Sequence, residues 1–166
     1  MNDVYYEQLV ARKSKPQDLV IRFLVVFVIA AVVVFGMPLI GFLAFFAAVI
    51  LGVLAIYFVF PRLNVEYEYV ILNHDMDVDA IYSQSKRKRQ LSFDIRQAEI
   101  MAPFGSPRLN SYKPEKTYDF SSGNANARTY SLMMPIDQKL TCIVIEPDDE
   151  MFRHIQGWMG MKLYRD

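Results

Sequence analysis

Cysteine is almost missing from this 166-residue chain, where Cys142 stands alone in the apolar run Leu140-Thr141-Cys142-Ile143-Val144-Ile145. One thiol excludes an internal disulfide framework and fits a reducing compartment. A surplus of either charge is missing too, with 18 Lys/Arg against 18 Asp/Glu. Residues 64–166 hold fifteen acids and thirteen bases, so the basic excess that a nucleic-acid binder needs is absent. Histidine is scarce, with only His74 and His154, and neither belongs to a Ser/His/Asp spacing, a Cys/His pair or a glycine-rich phosphate loop. These shortages predict no catalytic residue and no cofactor. The largest absence is local: from Phe23 to Pro61, thirty-nine consecutive residues carry no charge.

That uncharged run is twice what one bilayer crossing requires, since a core about 30 Å thick is spanned by about 20 helical residues. It predicts a two-helix hairpin over residues 18–61, with crossings at about 18–36 and 38–60. The fold-back is placed at Gly36-Met37-Pro38-Leu39-Ile40-Gly41, because Pro38 removes a backbone donor and the glycines permit a turn. A cleaved signal peptide is rejected, because the apolar segment is too long, no small-x-small cleavage site follows, and a second spanning run begins at once. Arg12, Lys13, Lys15 and Arg22 precede the hairpin and Arg62 follows it, while the connecting turn is uncharged. The positive-inside rule then predicts a multi-pass inner-membrane protein with both termini cytoplasmic. In the second crossing Ala44, Ala48 and Gly52 recur every four residues, a small-residue stripe for helix packing. It would receive either the first crossing or a second copy of the chain, which would make a homo-oligomer.

Residues 1–17 read as a cytoplasmic N-terminal segment. Val4, Tyr5 and Leu9 at helical spacing suggest a short surface helix, with a frayed polar terminus as the alternative. After Pro61 the pattern changes to period two, and residues 64–166 read as one domain. Seven strands are predicted: Val65 to Leu72, Met76 to Ser83, the alternation Leu91, Phe93, Ile95 emerging from a charged edge, Gln97 to Ala102, Thr117 to Phe120, Arg128 to Met134 and Lys139 to Glu146. Pro103, Gly105, Pro107 and Pro114 mark the longest loop between them. At the end Met151, Phe152, Ile155, Trp158 and Met159 form the stripe of an amphipathic helix, introduced by Pro147 and three acids. The fold class is therefore an α+β membrane protein: a transmembrane hairpin, then a small antiparallel β-barrel or sandwich of about seven strands, closed by a C-terminal amphipathic helix. That layout is pleckstrin-homology-like (PH-like).

The chain resembles an uncharacterised family of small membrane proteins of clostridia-type bacteria. The resemblance rests on Asn2-Asp3-Val4-Tyr5, the hairpin, Glu66-Tyr67-Glu68-Tyr69, the run Ile81 to Arg89 and Phe93-Asp94-Ile95. It is also similar in layout to bacterial membrane proteins that place a PH-like domain beside paired spans. Neither resemblance implies catalytic or binding residues.

Two motifs carry charge chemistry. His74-Asp75-Met76-Asp77-Val78-Asp79 has the x-alternation of a calcium loop, but Ala80 stands where glycine is needed and Lys86 where the closing acid belongs, so no metal site is expected. Lys86-Arg87-Lys88-Arg89 is the one dense patch of a single sign, a candidate lipid- or partner-binding element. Each basic group near anionic headgroups is worth about 1 kcal/mol, but on a strand only two of the four share a face. A plain solvated edge that discourages aggregation is the competing reading. The function expected from these features is a non-enzymatic membrane-anchored module binding a protein partner or the anionic bilayer surface, with no nucleic acid. The alternative is a structural or accessory subunit that oligomerises through its helices.

Overall fold

In the computed structural model, which describes residues 5–165, the chain divides into two units. One contains residues 14–65 and 82–86; the other contains the N-terminal stretch to residue 13 with 66–81 and 87 onward.

The first unit is the hairpin. Helix α1 (Pro16–Ile40) starts on a first-turn proline with Asp18 accepting from the Lys15 amide at 2.9 Å, which suits the positive end of the helix dipole. Helix α2 (Leu43–Leu63) follows, with one π-helical turn at Ala55–Val59. Both are long and apolar enough to span a membrane, at mean hydropathies of 3.0 and 2.8. Phe23, Phe27, Phe35, Leu39 and Phe42 stand out from the pair, as a lipid-facing surface would require.

The break between the helices differs from the expectation built on Pro38. Proline interrupts only one hydrogen bond near a helix end, so α1 passes through Pro38 and stops at Ile40. Gly41 makes the turn, at φ +60°, with its amide bonded to the Met37 carbonyl at 2.9 Å. Gly36 serves a different purpose. A Cβ there would lie 2.8 Å from the Ala44 Cβ, so the absent side chain is what lets the helices approach. Ala44 and Ala48 are buried, whereas nothing lies within 4 Å of a Cβ at Gly52. At the open end Arg22 donates to Asn64 Oδ1 at 2.7 Å.

The second unit holds two four-stranded sheets. The order in the first is β1 (Tyr5–Ala11), β2 (Val65–Leu72), β3 (Asp75–Tyr82) and β4 (Lys86–Asp94). The second runs β5 (Ile100–Pro103), β7 (Tyr130–Ile136), β8 (Lys139–Ile145) and β6 (Lys116–Asp119). Strand β6 lies parallel to β8, so this sheet is mixed rather than antiparallel, and no closed barrel forms. The strands sit where period two places them because their inward residues are the core. Tyr69, Ile71, Met76, Val78, Met101, Leu132, Met134, Ile143 and Ile145 join one cluster. Helix α3 (Asp149–Met159) covers it with Met151, Phe152, Ile155 and Met159. Trp158, placed on the same stripe by its spacing, is instead 40 % exposed and meets the His74 ring edge-on at 5.7 Å.

The N-terminal helix expected from Tyr5 and Leu9 is not present; Val4 lies outside the described residues. Tyr5–Ala11 is a strand, antiparallel to β2 with Tyr5 opposite Leu72 and Ala11 opposite Glu66. Tyr5 and Leu9 point to solvent, while Tyr6, Gln8 and Val10 turn inward. Gln8 hides the alternation because a polar residue stands at a core-facing position. Its amide is satisfied there, donating to the Glu146 carbonyl and accepting from the Asp148 amide, both at 2.9 Å. Tyr6 donates to Asp148 at 2.6 Å, and that bond pushes its phenol up to about 12.

The helical hairpin is thus an insertion between two paired strands. Replacing residues 14–64 with a short Gly/Ser linker should leave a soluble unit that melts cooperatively. Starting the chain at residue 64 removes β1, including the buried Val10, worth about 1.5 kcal/mol by itself. That truncation should melt at a clearly lower temperature or aggregate. Circular dichroism melts of the two forms check the comparison.

Candidate functional site

The basic run occupies β4, an edge of the first sheet, as a regular strand, so its side chains alternate. Arg87 and Arg89 both turn to the carboxylates of the neighbouring strands. The Arg87 guanidinium donates to Glu68 Oε1 at 2.5 Å and lies 3.9 Å from Asp79. Arg89 reaches Asp77 at 2.8 Å and Asp79 at 3.3 Å. Glu68 and Asp79 are buried to within 6 % exposure, and a carboxylate that deep is costly unless a cation accompanies it. Glu7 and Leu9 of β1 lie along the same strand pairing, with Leu9 opposite Glu68. Lys86 and Lys88 alternate with the arginines and are exposed. All four are exposed, so the cluster read from the sequence is two pairs that differ in partners rather than in exposure: the arginines are ion-paired to the protein's own acids, and the lysines alternate with them.

The acidic motif is divided in the same way. Asp77 and Asp79 pair with Arg89, whereas Asp75 at the start of β3 has a different neighbour. Asp75 lies beside His74 at 3.1 Å, and Asp94 is 3.6 Å from the same ring nitrogen. These three groups are close enough together to hold an ion. However, both oxygens of Asp94 are already engaged by Arg96 at 2.7 to 3.1 Å. His154 packs against the Tyr6 ring at 5.6 Å. Burial pushes the Cys142 thiol up, away from the thiolate that a nucleophile needs.

A family model described as a bacterial PH-like domain, DUF6106, matches residues 2–165. The chain belongs to that family. No curated protein and no solved structure matches it. The match begins before β1 and runs through α3, so it spans the inserted hairpin as well as both sheets. PH-like domains are generally non-enzymatic, in keeping with a non-catalytic module.

The structure also brings together residues that no sequence spacing linked. Arg128, Arg153 and Arg165 surround a cavity of about 420 Å³ in the PH-like unit, beside Tyr130 and Phe152. They come from the loop before β7, from α3 and from the C-terminal stretch. Each looks like an ordinary surface arginine in the chain, and only the fold, which brings Phe152 of α3 against Tyr130 at the start of β7, makes them neighbours.

Two outcomes follow from the charge geometry. Arg87→Gln leaves the buried Glu68 without its cation and should cost about 1–3 kcal/mol, whereas Glu68→Gln combined with Arg87→Gln should recover most of that loss in denaturant titrations. The Asp94 carboxyl is held down to about 2 by the Arg96 side chain, against an ordinary 3.8. A depressed folded value means the contribution is complete above pH 3.8 and is lost as pH falls toward 2. Melting temperature should therefore fall more steeply over that window in the wild type than in Asp94→Asn.

Proposed function

We propose that this protein is a non-catalytic docking module of the bacterial inner membrane, in which the two helices anchor a cytoplasmic PH-like unit that binds a protein partner. The observation that carries this reading is the insertion of the apolar hairpin between the paired strands β1 and β2, with Ala11 opposite Glu66. Two strands paired in this way require the inserted segment to leave and return on one side of a bilayer, and an even number of crossings satisfies that. The flanking Arg12, Lys13, Lys15, Arg22 and Arg62 favour the cytoplasmic side.

A protein partner is preferred to the anionic bilayer surface for an electrostatic reason. Of the four basic side chains in β4, Arg87 and Arg89 are more than half exposed but have their charge offset by Glu68, Asp77 and Asp79, so the net charge offered to headgroups is that of Lys86 and Lys88. Two lysines supply about 2 kcal/mol at a charged surface, short of stable binding. The accessory-subunit reading is supported by Gly52, where open space remains for another helix to approach.

Sedimentation of the hairpin-replaced unit with anionic vesicles separates the readings. The unit should stay in the supernatant, and the Lys86→Gln/Lys88→Gln variant should behave the same way. Pelleting that those two substitutions abolish would establish bilayer binding through β4 instead.

A further inference from the structure

Beyond docking, the cavity between β7 and the start of α3 has the chemistry of a small-anion site. Beside Pro147, its lining is Arg128, Tyr130, Asp149, Phe152, Arg153 and Arg165. Three guanidinium groups face one carboxylate, an excess of two positive charges around about 420 Å³, the size range of small-molecule sites. Asp149 compensates little of this. Its carboxylate is 93 % exposed and 3.6 Å from Arg128, itself 83 % exposed, a distance and exposure at which an ion pair is weak. The other two acids at the helix start, Asp148 and Glu150, are not part of the lining, and Asp148 caps the Glu150 and Met151 amides at 3.1 and 2.8 Å and accepts from Tyr6.

The arginines retain donors. Arg153 uses its Nε on the Asp149 carbonyl at 3.2 Å, one donor of five, and Arg165 gives one terminal nitrogen to Gln156 at 2.7 Å. The remaining forks match the oxygens of a phosphate group, which guanidinium recognises bidentately. The floor is aromatic. Tyr130 and Phe152 meet at 4.9 Å between centroids, and the Arg165 guanidinium lies over the Phe152 ring at 4.9 Å. A guanidinium lying over one ring, next to a second ring that lines the same cavity, offers planar groups against which a flat ring can stack.

We propose that this cavity binds a small phosphorylated molecule carrying a planar ring, of the mononucleotide type, with Arg128 and Arg153 on the phosphate and the ring along Tyr130 and the Arg165 guanidinium.

Calorimetric titration of the full-length protein in non-ionic detergent at low salt tests this with four probes: AMP, adenosine, glycerol 3-phosphate and inorganic phosphate. AMP should bind saturably and at least about tenfold more tightly than the two ring-free phosphates, while adenosine should give no detectable heat. Arg128→Gln and Arg153→Gln should each weaken AMP about tenfold, the worth of one charge-assisted contact. Both side chains are exposed, so these variants keep the fold, and unchanged circular dichroism verifies it. Lys88→Gln, outside the cavity, should leave AMP binding unchanged. Equal binding of AMP and adenosine, equal binding of AMP and glycerol 3-phosphate, or AMP affinity indifferent to both arginine substitutions would each overturn the proposal. None of these outcomes depends on whether the protein docks a partner.

Discussion

The antiparallel pairing of β1 with β2 is the constraint on which the rest of the molecule depends, because more than fifty residues separate the two strands along the chain. Joining the ends of a flexible segment of that length costs about 3–4 kcal/mol of loop-closure entropy. The inserted segment is not flexible, however. It is a helical hairpin whose ends come back together by their own packing, with Gly36 admitting Ala44 and Arg22 bonded to Asn64. The helix contacts therefore bring the two ends of the segment together and offset part of that closure cost. The seven-residue register from Tyr5–Leu72 to Ala11–Glu66 then adds a fourth strand to the first sheet and a buried Val10 to the core.

That same strand organises the charges. With β1 at one edge and β4 at the other, the outer face of the first sheet gathers Glu68, Asp77 and Asp79, and such a concentration of carboxylates is tolerable only if cations lie among them. Arg87 and Arg89 fulfil that need. The run Lys86 to Arg89 thus reads differently in three dimensions than in sequence: half of it belongs to the internal electrostatics of the sheet, and the other half keeps an exposed edge strand charged and soluble.

What was legible in the chain follows from which physical signals are local. The seven strands after Pro61 and the final helix announced themselves because their apolar residues repeat at two or at about 3.6, and most of the main core comes from those repeats, except that β8 is buried on both faces, with Ile143 and Ile145 in the main core and Cys142 and Val144 in a second cluster. The hairpin was legible from length and charge alone. Its turn was displaced because two glycines were available and a proline lay between them; positive φ at Gly41 and close approach at Gly36 are distinctions that only geometry makes. Strand β1 was misread because Gln8 faces inward and Leu9 outward, an inversion made possible by hydrogen bonds to residues 146 and 148, far away in sequence. Closure of the sheets was out of reach for a related reason: parallel pairing of β6 with β8 depends on where a loop returns, and no period encodes that.

The arginine cavity shows how these levels connect. Its positive excess would be smaller if Asp148 faced Arg128 and Arg153, because a carboxylate within a few ångströms of a guanidinium offsets its charge. Asp148 is held elsewhere by three bonds at one carboxylate, two to the first amides of α3 and one from the Tyr6 hydroxyl on β1. Gln8, two residues along the same strand, clamps the backbone of Glu146 and Asp148 on either side of Pro147, which itself borders the cavity. The strand that leads into the apolar hairpin therefore also sets the conformation of the segment from which the cavity-lining helix begins. A single contiguous set of hydrogen bonds runs from β1 through residues 146–148 to α3, and the carboxylate that caps α3 is also the one that Tyr6 of β1 holds.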